Sequence, residues 1–214
     1  MSRTTLILMA VVAFVAGLFL AASSTTIAQI PDPCDPDATS AGGCLFVCPQ
    51  GDGVRLDDIG ATIDIWVVFD GVPVEGIPHN DIWVMGCDPL EQLSLCGGSQ
   101  ACSADGPTDS EGHTTISGTI AAGGYSNGLD VVVSGIALYD KSTGCTTYLC
   151  LPVATRSPDI NGDLLVDLTD LATFASVFTP GLYDERMDFN CDGAVGLIDL
   201  SMFAPHFGPP GHNC

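Results

Sequence analysis

Residues 159–170 read DINGDLLVDLTD, and residues 188–199 read DFNCDGAVGLID. The second stretch follows the first at an offset of 29 (188 − 159), and the likeness continues beyond both. Asp159, Asn161, Asp163, Val166, Leu168, Asp170, Leu171, Phe174, Ala175 and Phe178 recur as Asp188, Asn190, Asp192, Val195, Leu197, Asp199, Leu200, Phe203, Ala204 and Phe207. An acidic bias would repeat charges but not the apolar residues between them. The chain therefore carries two copies of one structural unit.

The polar positions have a chemical logic. Calcium is a hard cation that takes six to eight oxygens, and a twelve-residue loop offers side chains at positions 1, 3, 5, 9 and 12 with a backbone carbonyl at 7. In the first loop these are Asp159, Asn161, Asp163, Asp167 and Asp170, with the carbonyl of Leu165. In the second they are Asp188, Asn190, Asp192 and Asp199, with the carbonyl of Ala194; Gly196 at position 9 leaves that place to water. Magnesium fits less well, because it prefers a smaller octahedral shell that keeps its waters. Position 6 must turn sharply. Gly193 suits it, whereas Leu164 in a left-handed conformation costs roughly 1–2 kcal/mol. The loops have opposite weaknesses, so unequal affinities are expected.

The apolar positions fit a helix. Leu168, Leu171, Phe174, Ala175 and Phe178 share one face, and their copies repeat it. Each unit reads as a loop followed by an amphipathic helix, the two helices burying their faces on each other. Pro205 should end the second near Ala204. So small a unit needs metal or disulfides to hold it. Its order should therefore be lost in chelator.

This pair resembles the dockerin family of type I, whose repeats read D-x-N-x-D-G-x-x-x-x-x-D and then a helix. The resemblance covers residues 159–207. It implies two bound calcium ions, an extracellular setting, and docking to a cohesin-type domain or cell-surface scaffold, as in carbohydrate-degrading systems. Cohesin-binding members carry polar pairs at positions 10 and 11, which are here Leu168-Thr169 and Leu197-Ile198. Two roles stand open: a calcium-stapled unit that steadies its own chain, and a docking unit.

Upstream, residues 30–152 carry strand signals. Ala61–Phe69 (ATIDIWVVF), Asp81–Met85, His113–Ile120, Asp130–Tyr139 and Thr146–Leu151 are short runs separated by turn residues. Residues 63–84, then Thr108–Ile116 and Gly128–Val133, resemble the bacterial immunoglobulin-like domains of invasin and related surface proteins, within residues 60–140. The expected fold class is thus two domains. An N-terminal all-β immunoglobulin-like sandwich with disulfides spans 30–152, and 153–158 is a linker. A C-terminal small α dockerin-like pair of calcium loop–helix (half EF-hand) motifs spans 159–214.

Residues 1–28 read as a signal peptide, with Arg3, an apolar core from Leu6 to Ala22 and a cleavage site at Thr26-Ile27-Ala28. An uncleaved anchor is the competing reading, since about 17 apolar residues approach the length of a span. All ten cysteines follow residue 28. In an exported chain an even count reads as disulfides, with Cys191–Cys214 the expected pair. Structural zinc is the weaker reading, because no CxxC repeat or neighbouring His accompanies them. A net charge of −21 excludes nucleic acid and anionic membranes as partners.

The HExxH, P-loop and GxGxxG patterns are absent. His206 and His212 near Cys214 read as an exposed tail more readily than as metal ligands. Trp66 and Trp83 suit a sugar-stacking face or, more simply, strand packing. The expected function is that of a secreted, extracellular or cell-surface calcium-binding protein with a structural, adhesive or docking role and no enzyme chemistry visible. The alternative is a component of a polysaccharide-degrading complex, with glycans as ligands.

Overall fold

The computed structural model describes residues 32–87, 92–97, 102–178 and 181–208. The signal-peptide reading of residues 1–28, and His212 and Cys214, lie outside the described residues. Among the described residues no helix is long and apolar enough to cross a membrane.

The run ATIDIWVVF is extended. Strand β3 (Ile63–Trp66) buries Ile63 and Ile65 and turns Asp64 and Trp66 outward, the two-residue period of a strand with one face on a core. It lies between β1 (Asp37–Thr39) and β8 (His113–Ile116), antiparallel to both. Beyond it, β4 (Val68–Phe69) and β5 (Val72–Pro73) form a hairpin over Asp70-Gly71, both with positive φ. Strand β10 (Leu129–Val133) is buried along its whole length, between β6 (Ile82–Gly86) and β11 (Ile136–Ala137). The fourth sheet has the order β2 (Gly43–Phe46), β12 (Val153–Arg156), β9 (Ala122–Ser126), β7 (Leu93–Leu95). Its β2–β12 pair is parallel.

One core, built from Leu45, Ile63, Ile65, Ile82, Val84, Leu129, Val131 and Val153 among others, lies between these sheets. A second core holds Ile160, Val166, Phe174, Met187, Phe189 and Phe203, and Phe46 of β2 completes it. The helices beside it are α1 (Leu168–Val177) and α2 (Leu197–Phe203), of ten and seven residues. A 3-10 turn over Ala204–His206 follows α2, as Pro205 requires.

The expected fold class is overturned. Among the described residues the chain is mostly β, in four small sheets, with only two short α-helices. The described residues form neither the two antiparallel sheets of an immunoglobulin-like sandwich nor a separate C-terminal helix-pair domain. Pro31–Cys214 forms one compact unit. The physical reason is area: ten and seven helical residues bury too little by themselves, and Phe46 supplies the missing aromatic. Phe46 meets Phe189 edge-on, ring centroids 5.6 Å apart. The stretch expected as a linker contains β12, a strand paired on both sides. The glycine-rich segment between two expected strands contains β9. Thr146–Leu151, expected as a strand, makes only isolated bridges, Tyr148 to Tyr139 and Leu151 to Leu129.

Disulfides join Cys34–Cys145, Cys44–Cys191 and Cys87–Cys150. They point to an oxidising compartment. Cys191 thus pairs with Cys44 on the strand β2, not with Cys214, and ties the second acidic loop to the sheet. Among the described residues Cys48 and Cys102 are buried thiols.

Candidate metal centre

Both acidic loops are built on the same frame. Asp159 is fully buried; its Oδ1 accepts from the backbone of Gly162 at 2.9 Å and Asp163 at 3.2 Å, and its Oδ2 from Leu164 N at 2.7 Å. In the second loop Asp188 Oδ1 accepts from Asp192 N at 3.0 Å and Oδ2 from Gly193 N at 2.8 Å. Position 12 faces back into each loop. Asp170 accepts from Ile160 N and Asp167 N, and Asp199 from Phe189 N and Gly196 N. Asp163 and Asp192 each accept from the backbone two residues ahead, Leu165 and Ala194. Asn161 and Asn190 each donate to the Asp at position 5. Each first-turn Asp is therefore both a capping group for its helix and a loop carboxylate.

The left-handed turns fall where the loops need them. Position 6 has φ 70° at Leu164 and 84° at Gly193, and position 4 has 70° at Gly162 and 53° at Cys191. Each loop thus holds one glycine and one side-chain-bearing residue at its two left-handed positions, in opposite order.

The other expected ligands fall less centrally. Asp167 is exposed and caps α1, accepting from Thr169 N at 2.7 Å. Gly196 caps α2 without a side chain. Leu165 and Ala194, expected as carbonyl ligands, lie on the exposed arms of their loops.

The donor set fits a hard cation. It is made of oxygens, several of them buried, and among the described residues no Lys or Arg forms an ion pair with a loop carboxylate. Burial pushes Asp159 up to about 7 and raises Asp170, with neighbouring carboxylates adding to both. A crowd of buried acids without a counter-charge is costly, and a bound cation would reverse that cost.

The first loop leans on strand β9. Gly124 N donates to Asp159 O, and a Cβ on Gly123 would fall on the Asp159 carboxylate. Beside it Arg156, almost fully buried, donates to Ser126 O, Asn127 Oδ1 and Glu185 O, the last at 2.7 Å. It lies over the Tyr125 ring and joins β12 and β9 to the segment between the loops. Nothing in the linear sequence singled out Gly123 or Arg156.

The apolar helix faces are narrower than their spacing suggested. Phe174 and Phe203 are buried and stack at 5.7 Å. Leu168 and Leu197 instead stand 72% and 76% exposed, with Ile198 beside them. Six residues rotate a helix by about 600°, which leaves Leu168 about 120° round from Phe174.

Other readings also change. Trp83 packs on the main core, whereas Trp66 leans on His113, so they do not make one sugar-stacking face. His206 is no tail residue: its ring meets Phe46 at 5.3 Å, and its Nδ1 lies 3.5 Å from both Cys48 Sγ and Asp52 Oδ2. Burial, chiefly, and the Asp52 side chain push the Cys48 thiol up to about 12, so it is not poised as a nucleophile.

No protein-family model matches the chain. No curated protein matches it. Among solved structures, the chain is similar to one from a type II cohesin–X–dockerin complex of Acetivibrio cellulolyticus, a C-terminal interface mutant. The identity is 20% over 63% of this chain and 86% of that one, with a TM-score of 0.24, too low to bear on fold or function.

Proposed function

We propose that this is an exported calcium-binding protein with a structural or docking role, whose two acidic loops, read as dockerin-type repeats, each hold one calcium ion. Asp159, Asn161, Asp163 and Asp170 hold the first, with Asp167 and the Leu165 carbonyl. Asp188, Asn190, Asp192 and Asp199 hold the second, with the Ala194 carbonyl. The observation that carries this reading is the recurrence of one hydrogen-bond frame around two sets of inward carboxylates. Calcium would fix both loops, and with them the helices that stand on the β body.

Exposed Leu168, Leu197 and Ile198 favour docking over stapling alone. Leu168 and Leu197 occupy equivalent places at the start of the two helices, Ile198 adjoins Leu197, and all three side chains are largely exposed among the described residues. A cohesin-type domain or cell-surface scaffold is the partner this reading names, and attachment to a polysaccharide-degrading complex is the setting it would serve.

Calorimetric titration of the chelator-treated chain tests the metal reading: two calcium equivalents are expected, and none would end it. A pull-down with a cohesin-type domain, run in calcium and in chelator, tests docking. Capture only in calcium, weakened by Leu197→Asp, supports it. Two calcium ions without capture would leave the stapling role alone.

A further inference from the structure

Cys48, Asp52 and His206 form a second kind of cluster, apart from the acidic loops. Cys48 follows β2, and its carbonyl closes a turn by accepting from Gly51 N at 2.9 Å. Gly51 has φ 73°, and Gly53 lies so close to Phe46 that a Cβ there would strike its carbonyl. The chain folds back tightly and brings Asp52 beside Cys48. His206 arrives from 158 residues away, on the 3-10 turn that Pro205 imposes after α2.

The three donor atoms lie within 4.8 Å of one another. The separations of His206 Nδ1 from Cys48 Sγ and from Asp52 Oδ2 are both 3.5 Å. That is long for the N···O pair to be a hydrogen bond. It matches the edges of a metal tetrahedron: zinc–sulfur and zinc–nitrogen bonds of about 2.3 and 2.05 Å give a sulfur–nitrogen edge of about 3.6 Å, and two bonds near 2.05 Å give about 3.4 Å. One sulfur, one imidazole nitrogen and one carboxylate oxygen make a borderline donor set suited to zinc rather than calcium. Asp52 is half exposed, which gives the ion a way in and leaves a fourth position to water.

The geometry points to a zinc site formed by Cys48, Asp52 and His206, which clips the segment after α2 to the turn after β2. On binding, the metal takes the place of the thiol proton, which passes to solvent. The site also gives a reason for the Cys48 thiol to persist beside disulfides.

Cobalt is the probe. The full chain, stripped with chelator and returned to calcium buffer, is titrated with Co²⁺. Calcium does not produce thiolate absorption, so the acidic loops are silent in this readout. One equivalent should bind, with near-ultraviolet thiolate-to-cobalt absorption and the intense visible bands of a tetrahedral ion, both abolished by zinc. Cys48→Ser should lose the thiolate band and Cys102→Ser should keep it. Asp52→Asn, at a half-exposed position that folding tolerates, should weaken affinity at least about tenfold. No thiolate band in the unaltered chain, a band that survives Cys48→Ser, or unchanged affinity in Asp52→Asn would overturn the assignment.

Discussion

Leu164 and Gly193 hold the same left-handed backbone conformation, φ 70° and 84°, at the sixth position of their loops. The side chain at Leu164 opposes that conformation by roughly 1–2 kcal/mol, and glycine's extra freedom in the unfolded chain offsets part of any gain from removing it. Leu164→Gly should therefore stabilise the calcium-loaded protein by about 0.5–1 kcal/mol and tighten the first site alone. Gly193→Leu should do the reverse at the second. Paired thermal melts and calcium titrations check both, and an unchanged first site in Leu164→Gly would mean that the loop turns without strain.

Gly123 separates the two sites by another route. Any side chain there collides with the Asp159 carboxylate. Gly123→Ala should reduce the calcium stoichiometry from two to one, with the second site keeping its affinity. Loss of both would show that the loops fold as a single cooperative element.

Phe46→Ala addresses the shared core. Removing a buried aromatic costs about 3–5 kcal/mol. Because Phe46 contacts Phe189 and His206, the loss should fall first on residues 159–208. Hydrogen exchange should rise there while β3 and β10 stay protected. A uniform rise would mean that the two cores unfold together.

Asp130 governs a pH effect. It is buried on β10, its carboxyl accepting from Val131 N at 2.7 Å, and burial pushes it up to about 7. Below about pH 4 the group is neutral in both folded and unfolded chains and costs nothing. Between about 4 and 7 the unfolded chain ionises it while the folded one keeps the proton, so stability falls as pH rises. Above 7 the penalty is complete, of the order of a few kcal/mol. Asp130→Asn should remove this slope, and denaturant melts at pH 5 and pH 8 would reveal it as a difference from the parent chain.

The acidic repeats were legible because two copies constrain one another. A single DINGDLLVDLTD with Leu164 is ambiguous, but the pair showed which positions are polar and where the chain turns, while the inward face it suggested failed at Leu168 and Leu197, which stand exposed. The strands were legible where residues alternate, as in β3. They were not legible in β9, whose Gly123-Gly124 reads as a turn, nor in β12, whose position between Pro152 and Pro158 reads as a connection. Both strands exist because tertiary partners pair them on each side. Phe46, Cys44 and Arg156 join elements far apart in sequence, so no local pattern marks them. The same holds for Cys48 and His206, since a cluster assembled by folding leaves no spacing to recognise.

Arg156 ends the strand β12, and Asp159 begins the first loop three residues later. Because β12 lies between β2 and β9, the repeats cannot be lifted out as a cassette. A graft cut at residue 158 would leave behind the strand, the aromatic and the disulfide partner that the loops require. Any transferable unit must begin no later than Gly43, so the acidic repeats and the sheet beneath them are inherited together.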